Sequence, residues 1–97
     1  MAFLEPLNRL LSLVAMITAM HIRRMIEAKP FKPFRAYIKG GRVFDIRFPE
    51  INMVTQSTFI IGIPEPNDTD PFADHFVRFG IEMVDHVEPI VDEAAIS

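Results

Sequence analysis

The chain contains no cysteine. Disulfides, thiolate metal sites and cysteine catalysis are therefore excluded, and the absence fits a reducing, cytoplasmic setting. Three signatures of common chemistry are also missing: a Gly-rich phosphate loop, a His-Glu-x-x-His helix and a Gly-x-Ser-x-Gly elbow. There is no internal repeat. The apolar run Leu10–Met20, with Ser12 and Thr18 as its polar side chains, stops at eleven residues, well short of the roughly 20 that a bilayer span needs. A secretory leader is weakened by Glu5 and Pro6 in its first region. It also lacks a small-x-small step, since bulky Ile17 stands two residues before Ala19.

What remains is a chain of 97 residues, 49% apolar and 24% charged, the composition of one small globular domain with a modest core. The net charge of −3 conceals an asymmetry. Residues 21–47 hold Arg23, Arg24, Lys29, Lys32, Arg35, Lys39, Arg42 and Arg47 against Glu27 and Asp45, a balance of +6. Residues 48–97 hold Arg78 against ten acids, a balance of −9. A split of this kind marks either a basic binding face or two halves that complement each other, within one fold or between subunits. The overall pI of 5.5 favours the second.

Residues 1–19 read as an apolar helical extension, with Pro6 suited to a first helical turn. A helix apolar on all sides must be buried, meet a partner or enter lipid. Three readings stay open: an over-called start with Met20 as the true first residue, a packed or oligomeric helix, and a signal or membrane contact. From Met20 the segment "MHIRRMIEAKPF" is amphipathic, with Ile22, Met25 and Ile26 on one face and Arg23, Arg24 and Glu27 on the other. Pro30 ends it. Residues 20–91 form the expected domain, and 92–97 a loose tail.

"KPFKPFRAYIKGGRVFDIRFPE" is a hairpin. Phe34, Ala36 and Ile38 alternate with Arg35, Tyr37 and Lys39; Phe44, Ile46 and Phe48 alternate with Val43, Asp45 and Arg47. A two-residue Gly40-Gly41 turn would put Phe34, Ala36 and Ile38 on the face of Asp45 and Arg47, because a one-residue slip swaps every side chain across the sheet. A three-residue loop, Lys39-Gly40-Gly41, instead pairs Phe34 with Ile46 and Ala36 with Phe44. It leaves Arg42 as the polar residue of the apolar face. Phe31 and Phe34 of the Pro-Phe steps are expected to plug the core.

Further strands are expected at "INMVTQ" and "TFIIGI", around a turn at Gln56-Ser57, with Phe59, Ile61 and Ile63 on one face and Gly62 leaving room for close packing. "HFVRFGIE" carries Val77, Phe79 and Ile81 on one face, and "DHVEPI" is a short last strand. "PEPNDTDPFAD" is a loop. The expected fold is mainly β with an N-terminal α-helix: a small five-stranded antiparallel barrel, Sm-like or SH3-like, with an antiparallel meander as the alternative.

Catalytic residues, metals and cofactors are not expected. His75 and His86 each follow an aspartate, but neighbours on a strand point to opposite faces, and no third ligand stands at metal spacing. "NDTD" alternates carboxylates as calcium loops do, yet lacks the central glycine and the later glutamate. Thr55, Ser57 and Thr58 read as turn residues. Nucleic acid is the most physical alternative: Arg35, Tyr37, Lys39, Arg42 and Arg47 fall on one hairpin, where cations bind phosphate and an aromatic can stack a base.

Residues 20–91, through "MIEAKPFKPFRAYIKGGRVFDIRFPEINMVT", resemble a group of short uncharacterised bacterial proteins. These begin with a small helix and continue with Pro-Phe-x-Pro-Phe, a Gly-Arg turn and a "HPE"-like step. Phe48 stands here where that group has histidine. The resemblance implies a start near Met20 and brings no activity. A fainter resemblance is to Sm-like RNA-binding barrels: "EINMV" is distantly similar to their first motif and "VDHVEPI" to the strand that closes their ring contacts. Of the residues that read uridine only Asn52 is near. The apolar surplus, the exposed strand potential and the opposite charge of the two halves lead to the expectation of a non-enzymatic module that works through a protein partner or self-association, with an Sm-like RNA-binding barrel as the alternative and no membrane contact expected.

Overall fold

A computed structural model describes residues 5–66 and 72–91. Its first element, α1 (Glu5–Glu27), is a single helix of 23 residues. The expected boundary at Met20 thus falls inside a continuous helix. Ala19 and Ile22 are buried in the core, and Ala15, Met25 and Ile26 pack against it. The chain leaves the helix three residues before Pro30, consistent with the restraint that proline imposes on its predecessor.

Six strands follow among the described residues: β1 (Phe34–Ile38), β2 (Arg42–Ile46), β3 (Asn52–Val54), β4 (Thr58–Pro64), β5 (Ala73–Gly80) and β6 (Val84–Pro89). The β1–β2 hairpin has the register expected from its parity: Phe34 faces Ile46, Ala36 faces Phe44 and Ile38 faces Arg42, leaving Lys39-Gly40-Gly41 as the loop. Gly40 and Gly41 both have positive φ, 96° and 95°, a conformation that side-chain-bearing residues resist. The turn between β3 and β4 also lies where expected. Thr55 N–H donates to Thr58 O, and the Thr55 hydroxyl receives the N–H groups of Ser57 and Thr58.

The expected five-stranded barrel is corrected to two three-stranded antiparallel sheets, in the orders β2–β1–β6 and β3–β4–β5. All six segments expected to be strands form strands, one more than a five-stranded barrel holds, and they pair differently from a barrel. Pro49–Ile51 forms a single 3-10 turn, which sends β3 into the other sheet. The second sheet is a simple meander; the first is not, since its central strand pairs with β6, the last of the described strands. Instead of closing by strand pairing, the sheets meet at a second 3-10 turn, Ile81–Met83. Ile81 N–H donates to Ser57 O and Lys39 N–H donates to Met83 O, both at 2.8 Å.

One core joins the three layers. Phe34, Ala36, Ile38 and Ile46 from the first sheet, Phe59 and Ile61 from the second, Ile81 and Val84 at their junction, and Ala19 and Ile22 of α1 are all buried together. Phe44 and Phe79 span the sheets with ring centroids 5.4 Å apart. Phe31 lies 6.3 Å from Phe34, as a core plug should. Gly62 is a packing requirement: a Cβ there would collide with the backbone carbonyl of Ile51. The "NDTD" segment and the 92–97 tail lie outside the described residues.

Candidate interaction surfaces

Arg35 and Asp45 are cross-strand partners, so their side chains share the outer face of the first sheet. Arg35 Nε donates to Asp45 Oδ1 at 2.7 Å, and Arg47 Nη2 lies 3.7 Å from Asp45 Oδ2. The hydrogen bond from Arg35, with the charges of Arg35 and Arg47, holds the Asp45 carboxyl below its ordinary value; the same bond raises Arg35. Tyr37 donates from its hydroxyl to Glu88 at 2.6 Å and stacks on His86, with centroids 4.3 Å apart. Both partners sit opposite β1 on β6, and only the fold brings them there.

Arg42 lies elsewhere. Its guanidinium covers the Phe44 and Phe79 rings at 5.1 and 5.0 Å, closing the apolar face at the turn as a cation–π lid. Lys39 is exposed at the loop, with no ion pair among the described residues. The five candidates are thus divided: Arg35, Tyr37 and Arg47 are engaged with acids on the outer face, Arg42 caps the core, and Lys39 stands at the turn. Asn52 is committed to the backbone. It donates to Phe48 O at 2.6 Å and accepts from Gly62 N–H at 3.3 Å, tying the Pro49–Ile51 turn to β4.

The histidines correct a second expectation. His75 Nδ1 lies 2.9 Å from Asp74 Oδ2, and His86 Nδ1 lies 3.0 Å from Asp85 Oδ2. Strand neighbours should point apart, but both pairs sit at bulges. Register passes from Ile63↔His75 to Pro64↔Ala73 and from Tyr37↔His86 to Ile38↔Val84, so Asp74 and Asp85 are the extra residues. A bulge sets two consecutive side chains against one partner residue and re-aims them. Each aspartate therefore orients its histidine, on exposed surface. No group of three His, Asp or Glu side chains converges at metal-binding distance among the described residues.

Exposed apolar side chains are the more unusual feature of the surface. Leu10, Leu13, Val14, Met16, Ile17 and Met20 are each between 44% and 59% exposed. At 3.6 residues per turn they lie on the side of α1 opposite Ala15, Ala19, Ile22 and Ile26, which face the core. The helix is apolar on both sides, and the sheets cover one of them. The signal was legible as an unbroken apolar run; which side the domain would cover was not. No helix among the described residues is long and apolar enough to cross a membrane. On the outer face of the second sheet, Met53 and Phe76 are also exposed; Ile60 lies between Met53 and Arg78 across the sheet, and Arg78 stands two residues from Phe76 on the same face of β5.

No protein-family model, no curated protein and no solved structure matches the chain.

Proposed function

We propose that this chain is a small, non-enzymatic association module whose N-terminal helix docks on a protein surface through the side left uncovered by the sheets. The observation that carries this is the run of six half-exposed apolar side chains from Leu10 to Met20, in a stretch without a single charge. Monomeric soluble proteins rarely leave a contiguous apolar patch of this extent in water, and such patches mark interaction sites. Because α1 is pinned to the core by Ala19 and Ile22, its outer side chains are held in place before any partner arrives. Kinship with the short bacterial proteins that share the Pro-Phe-x-Pro-Phe segment belongs to the same proposal, as does a cytoplasmic setting.

Light scattering after size exclusion, at several salt concentrations, tests the reading together with capture from cell extract by the wild type and by Ile17→Glu. The reading expects a species retained by the wild type, either itself or another protein, and lost in the variant. A wild type that stays monomeric and retains nothing beyond what the variant retains ends it.

RNA binding is the second reading, resting on Arg35, Tyr37, Lys39, Arg42 and Arg47. Affinity for single-stranded RNA should fall steeply with salt and on charge reversal at Arg35 and Arg47. It has less to stand on, because Arg35 and Arg47 share Asp45 as an ion-pair partner, which cancels one of their two charges, and Arg42 is occupied by aromatic rings. The Sm-like comparison adds little, since the two sheets form no closed barrel.

A further inference from the structure

We propose that the uncovered side of α1 pairs with the same side of a second copy of this chain, the two helices running antiparallel. This rests on the association reading above and names its partner.

Spacing is the first observation. Leu10, Leu13, Ile17 and Met20 recur at intervals of three, four and three residues, and all four are exposed. That is the a/d repeat of a helix–helix seam, whose knobs enter holes on a facing helix. Val14 and Met16 flank the seam on either side, where a second helix would cover them.

Area is the second. Six half-exposed side chains of this size present on the order of 100 Å² each, so a symmetric pair would bury roughly 1,200 Å², the lower bound for a specific interface. The helix is already ordered by its own domain, so pairing need not bear the cost of forming it.

Charge sets the direction. The next seam position after Met20 is Arg24, with His21 and Arg23 beside it. A parallel, in-register pair would set Arg24 against Arg24. An antiparallel pair sets Leu10 against Met20 and Leu13 against Ile17, carries each Arg24 beyond the apolar seam, and opposes the helix dipoles. A lipid surface fits less well. Interfacial helices carry Lys or Arg on the polar face and aromatic anchors on the other. Here Leu10–Met20 has neither, and the side away from the seam faces the sheets.

The test uses the full chain. Sedimentation equilibrium from about 1 to about 500 µM should show a monomer–dimer transition with a midpoint on the order of 10 µM, as expected for an interface of minimal area. Ile17→Glu and Leu13→Glu, both at exposed positions, should remain monomeric throughout with unchanged circular dichroism. The chain has no cysteine, so single cysteines report orientation directly. A mixture of Leu10→Cys and Met20→Cys should form the mixed disulfide in preference to either symmetric one. Absence of a dimer at the highest concentration, a dimer indifferent to both glutamates, or a preference for the symmetric Met20→Cys disulfide overturns the proposal. So does a monomer that instead binds phosphatidylcholine or phosphatidylglycerol vesicles through Ile17. A monomer that captures a different protein through Ile17 overturns self-pairing and leaves the association reading standing. A monomer that captures nothing removes both.

Discussion

On the outer face of the β2–β1–β6 sheet, Arg35 holds Asp45 and Tyr37 holds Glu88; on the outer face of the β3–β4–β5 sheet, Met53 and Phe76 stand 59% and 61% exposed. The inner faces are alike, each a row of buried aromatic and branched side chains meeting in one core. The first sheet is the better finished against water: Arg35 is paired in register with Asp45, and its single tyrosine has both a hydrogen bond and a stacking partner, although Val43 beside that tyrosine is 48% exposed. The second sheet and the helix are not finished in that way. Even there the two differ, because Arg78 interrupts the apolar surface of the sheet while nothing charged interrupts Leu10–Met20. Uncovered apolar side chains thus occur on both sheets, and their longest uncharged stretch lies on α1.

The contrast between inner and outer faces can be broken most forcefully at the core. Phe34→Ala and Phe59→Ala, at positions with no exposure, should each cost about 3–5 kcal/mol in urea unfolding, because deletion leaves a cavity as well as losing burial. Phe76→Ser should stay within about 0.5 kcal/mol; a cost like that of Phe34 would mean the outer face is packed after all. Gly62→Ala comes next. Its Cβ would collide with Ile51 O, so the backbone must shift, at about 1–3 kcal/mol by the same measurement. Gly41→Ala has open space around it but a φ of +95°, and should cost about 1–2 kcal/mol from conformation alone.

The smallest expected effect concerns the charge pairing of the first sheet. Asp45 has a folded value lowered from the ordinary 3.8 by the hydrogen bond from Arg35, then by the charges of Arg35 and Arg47. A depressed carboxylate contributes stability that is complete above its unfolded value and is lost as pH falls through its folded value. Asp45→Asn should therefore flatten the acid side of a stability-versus-pH curve below about pH 4, with only a slight change at pH 7, because the pair is solvated. A variant curve that keeps the full acid slope would show that the pair is idle.

Much of the first hairpin was legible because its information is local. Parity along Phe34–Ile38 and Phe44–Phe48 excludes the two-residue Gly-Gly turn, and the three-residue loop that satisfies it places Asp45 opposite Arg35. Pairing of β1 with β6 was not legible, since Glu88 and His86 lie some fifty residues away and no local pattern says which edge they join. The Asp–His contacts were misjudged for a related reason: alternation along a strand is a local rule, and the bulges that suspend it are set by the register of the neighbouring strand. The barrel failed at Pro49–Ile51, where a tight turn diverted the chain from one sheet to another.

The amino-acid order alone determined where helix and strands form, which side chains face inward in the hairpin, and that a long uncharged apolar segment must find cover, because periodicity and solvation act over a few residues. Tertiary structure decided which strands pair, which cations are neutralised and which side of α1 is left in water, because those outcomes depend on contacts between segments far apart in the chain.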